Sequence, residues 1–193
     1  MARITKKTWL QEGLKVLTES GIDGLTIEAL STRLSVTKGS FYHHFGNRAV
    51  YAEELLKFWE AENTLKIKQL ANEIKDPLEK IKRLIELTSN LPHEPEVAVR
   101  AWALRDPLAR AYQKRVDRRR LAYLEQVHFL LTGDKEKAKT GAYLAYVVLV
   151  GSQQMVPAIH GKKLKRLFKE LLWGLYRCAL SNTDAHSTTV KEL

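Results

Sequence analysis

Seven hydrogen-bond donors are crowded into twelve positions near the start of the chain. They are Thr37, Lys38, Ser40, Tyr42, His43, His44 and Arg48. Phe41 and Phe45 lie among them one helical turn apart, so a helix over this stretch would bury one face and expose donors on another. A donor-rich helix braced by a second short helix has the geometry that enters the major groove of DNA. The stretch is therefore the first candidate for a functional site.

The residues before this stretch predict the helices that position it. The stripe of a first helix consists of Trp9, Leu10, Gly13, Leu14 and Leu17. Glycines break the chain over residues 21–24, and Thr26 is placed to cap a second helix over residues 27–34. A turn then leads into a third helix over residues 37–45.

The start of the third helix carries small and polar residues. Thr37 can cap it, while Lys38 and Ser40 stand at its first turn, where a side chain can reach base edges or phosphates. Gly39 is expected to let the helix pack closely against the helix before it.

The two short helices followed by VTKGSFYHHFGNR resemble the DNA-binding domain of TetR-type (TetR/AcrR) transcriptional regulators, over about residues 5–55. The matching residues are Leu25, Thr26, Ile27, Ala29, Leu30, Leu34, Val36, Thr37, Lys38, Gly39, Ser40, Phe41, Tyr42, His44, Phe45 and Arg48. The resemblance implies phosphate contacts from Tyr42, His43 and Arg48. The full set of expected DNA contacts is Thr26, Thr37, Lys38, Gly39, Ser40, Tyr42, His43 and Arg48. A plain three-helix packing unit with solvated polar residues is the alternative.

Two positions depart from the pattern of that family. Ser35 stands where glycine is frequent, and a left-handed serine costs about 1 kcal/mol. Arg48 stands where lysine is usual, and it keeps the charge while making a more directional phosphate contact. The neighbours His43 and His44 would point about 100° apart on a helix, so no metal site is predicted and His44 is expected to pack or cap.

The charge balance favours a polyanionic partner. The chain has 193 residues, 45% of them hydrophobic, with 32 Lys and Arg against 22 Asp and Glu and a formal net charge of +10. Such a charge suits nucleic acid or an anionic membrane surface, although a basic protein without either partner is equally compatible. Most of the excess positive charge lies beyond residue 50, so net charge supports DNA binding only weakly.

Cysteine content and hydropathy predict a cytoplasmic protein without a membrane span. The single cysteine, Cys178, cannot form an internal disulfide and is expected to pack. The first residues lack the apolar core of a signal peptide. The longest apolar run, residues 141–151, is far shorter than the roughly 20 residues that cross a bilayer.

Helical periodicity continues through the rest of the chain. Asp76 and Asp106, each followed by proline, predict helix starts. With further helices over residues 135–156 and 162–180, the prediction is an all-α protein of about nine helices. It has an N-terminal three-helix helix-turn-helix DNA-binding domain (residues 1–50), a C-terminal helical ligand-binding and dimerisation domain (51–180) and a flexible tail (181–193).

The basic stretch over residues 100–120 has two interpretations. It can be a solvated helix face with internal ion pairs, or it can bind an acidic small molecule through Arg120, which is predicted to follow Tyr112 and Val116 on a buried stripe. The second interpretation predicts a small-molecule effector whose identity the sequence does not give, acidic if Arg120 faces it. Its candidate ligand-binding residues are Trp102, Tyr112, Arg120 and Tyr123.

The last two helices predict a dimer surface. The helix over residues 135–156 carries more apolar residues than one buried face needs, and the final helix adds a seven-residue apolar stripe and a tryptophan. The candidate interface residues are Tyr146, Leu149, Phe168, Leu172 and Trp173. Core packing in a monomeric domain is the alternative.

No catalytic residue, cofactor or metal site is predicted. The chain has no glycine-rich phosphate loop, no HExxH or CxxC spacing and no serine motif on a strand, turn and helix, so an enzyme is not expected. The function predicted is a ligand-responsive transcriptional regulator, a repressor, that binds a near-palindromic site on double-stranded DNA as a homodimer. A basic helical interaction or membrane-surface protein is the alternative.

Overall fold

Helices account for all of the regular structure in residues 4–184, the part of the chain that the computed structural model describes; side-chain surroundings are described through residue 176. The elements are α1 (Lys6–Gly24), α2 (Ile27–Arg33), α3 (Lys38–Phe45), α4 (Arg48–Glu60), a π-helical turn (Ala61–Leu65), α5 (Lys66–Asn72), α6 (Pro77–Ser89), α7 (Glu94–Ala103), α8 (Pro107–Thr132), α9 (Lys135–Gln154) and α10 (Gly161–Asp184). The segment from α4 through the π-helical turn to α5 is continuous and counts as one helix. Residues 4–184 therefore contain nine helices. The predicted all-α fold of about nine helices is confirmed.

Two aspartates start helices as the sequence predicts. The Asp76 carboxylate accepts the N–H of Glu79 at 2.8 Å, with proline at the first helical position. Asp106 accepts the N–H of Ala109 at 2.9 Å in the same way. In each case the side chain satisfies a backbone donor that has no partner inside the helix.

The end of α10 differs from the prediction. The helix continues to Asp184, past residue 181, where the flexible tail was expected to begin. Apolar positions end earlier, so periodicity alone placed the helix end too soon. The predicted tail over residues 185–193 and the side chain of Cys178 lie outside the described residues.

Helix contacts divide the chain into two compact units. One comprises the described residues up to Leu70 together with Leu91–Arg119, and in it α1 packs on α2, α4 and α7. The other comprises Ala71–Asn90 and the described residues from Arg120 onward, and in it α10 packs on α6 and α9. The domain boundaries at residues 50 and 180 stay a prediction.

A close approach of α4 to α1 anchors the N-terminal helices in the first unit. Tyr51 is 2% exposed and its hydroxyl donates to the backbone carbonyl of Trp9 at 3.1 Å. Burial raises the pKa of the Tyr51 phenol well above its usual range. A Cβ at Gly13 would lie 1.9 Å from the Tyr51 hydroxyl oxygen, so only glycine fits between the two helices.

Candidate nucleic-acid interface

Short-range hydrogen bonds shape the turn between α2 and α3. The Oγ1 atom of Thr26 accepts the N–H of Ala29 at 3.1 Å, which confirms the predicted cap of α2. After α2, the N–H of Val36 donates to the carbonyl of Ser31 at 3.0 Å. Ser35 takes a φ of 54°, the left-handed conformation in which a serine costs about 1 kcal/mol. Together these contacts turn the chain sharply between two short helices.

Aromatic packing fixes the buried face of α3. Phe41 is fully buried, and its ring lies 5.5 Å from Trp9 and 5.1 Å from Tyr51, centroid to centroid. Phe45 is 4% exposed and stacks edge-on against Tyr51 at 4.8 Å. The prediction that Phe41 and Phe45 form the buried face is confirmed. The half-buried ring of His44 lies beside Phe45, 6.1 Å between centroids, in keeping with a packing role.

The remaining face of α3 is open to solvent. Tyr42 is 51% exposed, and Lys38 and His43 are also exposed, while Ser40 is half-buried. Arg48, at the first position of α4, is exposed as well. The structure thus brings most of the predicted DNA contacts onto the solvent side of one short helix and the start of the next.

The capping role expected of Thr37 and the packing role expected of Gly39 are wrong, while their contacts with DNA stay a prediction. Thr37 occupies the cap position, but its side chain makes no cap hydrogen bond; the carbonyl of Thr37 instead accepts the N–H of Ser40 at 3.0 Å. Gly39 is exposed, and a Cβ there would meet only the Oγ1 atom of Thr37, at an ordinary 3.5 Å. Packing against the neighbouring helix therefore does not require glycine at position 39.

An acidic residue that the sequence pattern did not single out lies on the same surface. Glu28, in the first turn of α2, accepts a hydrogen bond from the ammonium of Lys38 through Oε1. Both side chains border an open groove of about 500 Å³ between α2 and α3, whose lining also includes Thr32 and Ser35. The ten-residue separation of Glu28 and Lys38 spans a turn, so no helical spacing could have indicated the contact.

Ion pairs on the other side of α2 brace it against α1. Arg33 donates from Nε to Glu12 at 2.7 Å and from Nη1 to Glu19 at 2.6 Å. The Arg33 guanidinium holds the pKa of the Glu19 carboxyl below its usual range. These pairs keep one cation of the N-terminal helices away from the face that α3 exposes.

Part of the basic stretch over residues 100–120 is internally paired. Glu60, at the end of α4, is 4% exposed and accepts hydrogen bonds from Arg115 at Nε, 3.2 Å, and from Arg119 at Nη1, 2.6 Å. Arg100 on α7 donates to Asp117 on α8 at 2.9 Å. Internal pairing therefore accounts for three of the arginines, as the first interpretation of this stretch predicts.

The four candidate ligand residues have different surroundings. In the first unit, Trp102 is 3% exposed and Tyr112 is 5% exposed, with the Tyr112 hydroxyl 3.3 Å from Glu53. In the second unit, Tyr123 is buried and donates to Asn72 at 2.7 Å, and Arg120 is half-buried. Their assignment to an effector site stays a prediction.

Two of the five candidate dimer residues must be reassigned. Tyr146 and Phe168 are 6% and 5% exposed within a single chain, so they pack inside the second unit and offer no surface to a partner. Leu149 and Leu172 are half-buried, and Trp173 is 54% exposed. An apolar stripe alone could not separate the inward from the outward positions.

The described residues show neither a candidate metal site nor a membrane-spanning helix. They contain no group of three or more His, Cys, Asp and Glu side chains that could hold a metal ion. None of the helices in residues 4–184 combines the length and hydrophobicity needed to cross a membrane.

Comparison with known proteins gives matches of two kinds. The model of the family Bacterial regulatory proteins, tetR family, matches residues 10–55. Over 63 residues the chain is 35% identical to the tetracycline repressor protein class A from transposon 1721 of Escherichia coli. That match spans 33% of this chain and 29% of the repressor, so the chain aligns with less than a third of that relative.

Solved structures share the fold over most of the chain. A transcriptional regulator of Rhodococcus sp. Rha1 superposes with a TM-score of 0.74 at 14% identity, covering 91% of this chain and 97% of the other. A regulator structure from Saccharomonospora viridis, in complex with choline, gives a TM-score of 0.70 at 14% identity over 88% and 95% of the two chains. Residues 10–55, which contain the helix-turn-helix of α2 and α3, therefore match the tetR family of bacterial regulatory proteins, within a fold that the two solved regulator structures share.

Proposed function

We propose that the protein is a transcriptional repressor that binds double-stranded DNA in the cytoplasm as a homodimer and releases it when a small molecule binds. The DNA-binding part of this proposal rests on one observation, that α3 has one buried apolar face and one exposed polar face. Its Phe41 and Phe45 are buried, while Lys38, Tyr42 and His43 are exposed on a helix, the element whose width fits a major groove.

The interface chemistry supports contacts with both phosphates and bases. The exposed phenol of Tyr42, the imidazole of His43 and the guanidinium of Arg48 can each donate to phosphate oxygens. Lys38 stands at the first turn of α3, where side chains reach base edges in helix-turn-helix proteins. In a two-fold dimer, the two α3 helices would lie about 34–36 Å apart or at a multiple of that spacing.

Removal of a phosphate contact should weaken DNA binding. Arg48→Ala is expected to lower affinity about tenfold, because a charge-assisted hydrogen bond is lost, and Tyr42→Phe should lower it severalfold. Arg48→Ala should also reduce by about one the slope of log affinity against log salt concentration. Fluorescence anisotropy with a DNA fragment selected by the wild-type protein measures both quantities.

A cationic residue far from α3 in the sequence provides the matched control. Lys163→Ala removes one exposed positive charge from α10 and should leave affinity and salt slope close to wild type. Equal affinities for wild type, Arg48→Ala and Tyr42→Phe at the same salt concentration would contradict the proposed interface.

The second unit supplies a surface for the proposed homodimer. On α9, Tyr143 is 51% exposed and Val147, one turn later, is 62% exposed. On α10, Leu167 and Trp173 are 43% and 54% exposed. Since α9 and α10 pack on each other, their exposed apolar side chains can extend over two adjacent helices, which suits a four-helix interface with a second copy.

A charged side chain introduced on this apolar surface should prevent dimerisation. Wild type is expected to elute with twice the chain mass of 22.1 kDa in size-exclusion chromatography with light scattering. Val147→Glu should shift the population toward the single-chain mass at micromolar concentration, because burying an unpaired carboxylate is costly. Leu104→Glu, at a leucine that is 78% exposed on the first unit, is the control and should leave the dimer intact. A wild-type protein that elutes as one 22.1 kDa particle would overturn the homodimer.

Buried polar atoms of the first unit support the effector proposal. The indole N–H of Trp102 and the side-chain oxygen of Gln113 are buried and have no hydrogen-bond partner among the described residues. Such groups are rare unless water or a ligand satisfies them. The S. viridis structure of the same fold holds choline, and the buried donor and acceptor here favour a ligand with its own hydrogen-bonding groups.

A thermal-shift screen of small molecules can test this assignment. A compound that raises the unfolding temperature of wild type should lose most of that effect with Trp102→Phe, because the ring would stay but the donor would be gone. Tyr42→Phe, which removes an exposed hydroxyl on α3, should respond like wild type when no DNA is present. An undiminished shift in Trp102→Phe for every active compound would remove Trp102 from the site.

A further inference from the structure

A carboxylate lies on the surface proposed to contact DNA. Glu28 in the first turn of α2 accepts a hydrogen bond from Lys38 at the start of α3, and the two side chains are 64% and 55% exposed. The same hydrogen bond holds the pKa of the Glu28 carboxyl below its usual range, so the group is ionised at neutral pH. The surface therefore presents an anion beside one of its cations.

Folding alone does not account for this ion pair. Thr26 caps α2, and α3 is anchored through the fully buried ring of Phe41. An ion pair as exposed as Glu28 and Lys38 contributes little to stability. A carboxylate would also repel the phosphates of DNA, so the pair is poorly suited to a simple backbone contact.

The base edges of DNA offer a better match. In the major groove a G·C pair presents the guanine N7 and O6 acceptors beside the cytosine N4 amino donor. An ammonium next to a carboxylate has the complementary order, a donor beside an acceptor. An A·T pair also presents an acceptor, adenine N7, beside a donor, the N6 amino group, but the thymine O4 acceptor follows that donor and would repel a carboxylate placed there. A G·C pair has no acceptor beyond its cytosine donor and offers two adjacent acceptors to the ammonium.

The local backbone leaves room for this approach. Gly39 follows Lys38, is exposed, and would meet no close neighbour if it carried a Cβ, so its lack of a side chain serves nothing inside the protein. A glycine at such a place allows another molecule to come close. The open groove between α2 and α3 is bordered by both Glu28 and Lys38.

Building on the proposed DNA-binding function, we propose that Glu28 and Lys38 together read one G·C pair in each half-site. Lys38 donates to the guanine, and Glu28 accepts from the cytosine amino group. Glu28 acts as a specificity determinant, which excludes bases that present an acceptor or a methyl group at its position.

The test compares base preference in wild type and Glu28→Gln. Each protein selects binding sites from a random DNA pool, and affinities are then measured for the wild-type site with every base substituted in turn. Wild type should require G·C at one position in each half-site. Glu28→Gln should keep the half-site spacing and the other preferences, while its discrimination at that position falls about tenfold and its affinity for mismatched sites rises. Glu79→Gln, which removes the carboxylate of an equally exposed ion pair with Lys82 on α6, should behave like wild type.

The outcomes separate this inference from the proposed function. A wild-type protein that selects no sequence overturns both. A wild-type protein that selects a site, together with a Glu28→Gln variant whose discrimination is unchanged at every position, overturns only the role of Glu28. Loss of discrimination at an A·T pair overturns the assignment to G·C. Thermal unfolding of Glu28→Gln should match wild type, because the residue is exposed.

Discussion

Replacing Arg115 and Arg119 together by methionine is expected to lower the free energy of unfolding by about 3 kcal/mol. The two guanidinium groups bind Glu60, whose side chain is 5% exposed, so the double replacement would leave a buried carboxylate without these partners. Removal of one side of a buried ion pair is costly because an uncompensated charge remains in a medium of low polarity. Urea unfolding followed by circular dichroism measures the change.

Two further variants separate charge burial from loss of packing. Adding Glu60→Leu to the double variant removes the stranded carboxylate and should recover at least half of the lost stability, since apolar replacements of buried ion pairs are often neutral. Lys57→Met, on the same helix, breaks exposed pairs with Glu53 and Glu54 and should leave the free energy of unfolding close to that of wild type. A double variant no less stable than Lys57→Met would show that Glu60 is not held by these arginines.

A loss of stability in mild acid is expected from His128. This residue is 1% exposed on α8, its Nδ1 atom is hydrogen-bonded to the hydroxyl of Tyr176 on α10, and burial lowers its pKa to about 4. As the pH falls below the unfolded value of about 6.5, the unfolded chain gains a proton that the folded chain cannot accept. The contribution of neutral His128 to stability is therefore fully present well above pH 6.5. The free energy of unfolding should fall by about 2 kcal/mol at pH 5 and by about 3 kcal/mol at pH 4.

Removal of the titrating group should abolish this dependence. His128→Gln can still accept from Tyr176 but does not titrate, so its free energy of unfolding should change little between pH 7 and pH 5, although it will be lower at pH 7. His43→Gln removes an exposed histidine and should keep the wild-type slope. Carboxyl groups with lowered pKa, such as Glu19, lose their contribution only at lower pH, so the interval from pH 7 to 5 isolates His128. The same slope in His128→Gln and in wild type would contradict this account.

The sequence sufficed where local patterns decide the structure. The side chains of Asp76, Asp106 and Thr26 each accept the backbone N–H three residues ahead. They thereby cap α6, α8 and α2. Phe41 and Phe45 lie one turn apart, which predicts a shared buried face whatever lies opposite. These interactions depend on residues close in sequence, so spacing and residue type are enough to predict them.

Contacts between distant residues could not be predicted in this way. Glu60 and Arg115 are 55 positions apart, and His128 and Tyr176 are 48 apart, so only the packing of helices brings each pair together. The same limit explains the error for Phe168, because a stripe at helical period fits a core and an interface equally well. It also explains why the contact of Glu28 with Lys38, across a turn, was not predicted.

Selection of bound DNA from a random pool tests the central claim most directly, because the protein itself chooses the binding site. If α3 reads the major groove in a homodimer, sequencing of the retained DNA at moderate salt should reveal one enriched motif. The motif should consist of two inverted half-sites whose centres lie about 34–36 Å or a multiple of that distance apart along the helix axis. Recovery of DNA without any enriched sequence, with retention that disappears as salt is raised, would reduce the interaction to general charge attraction and contradict the proposed function.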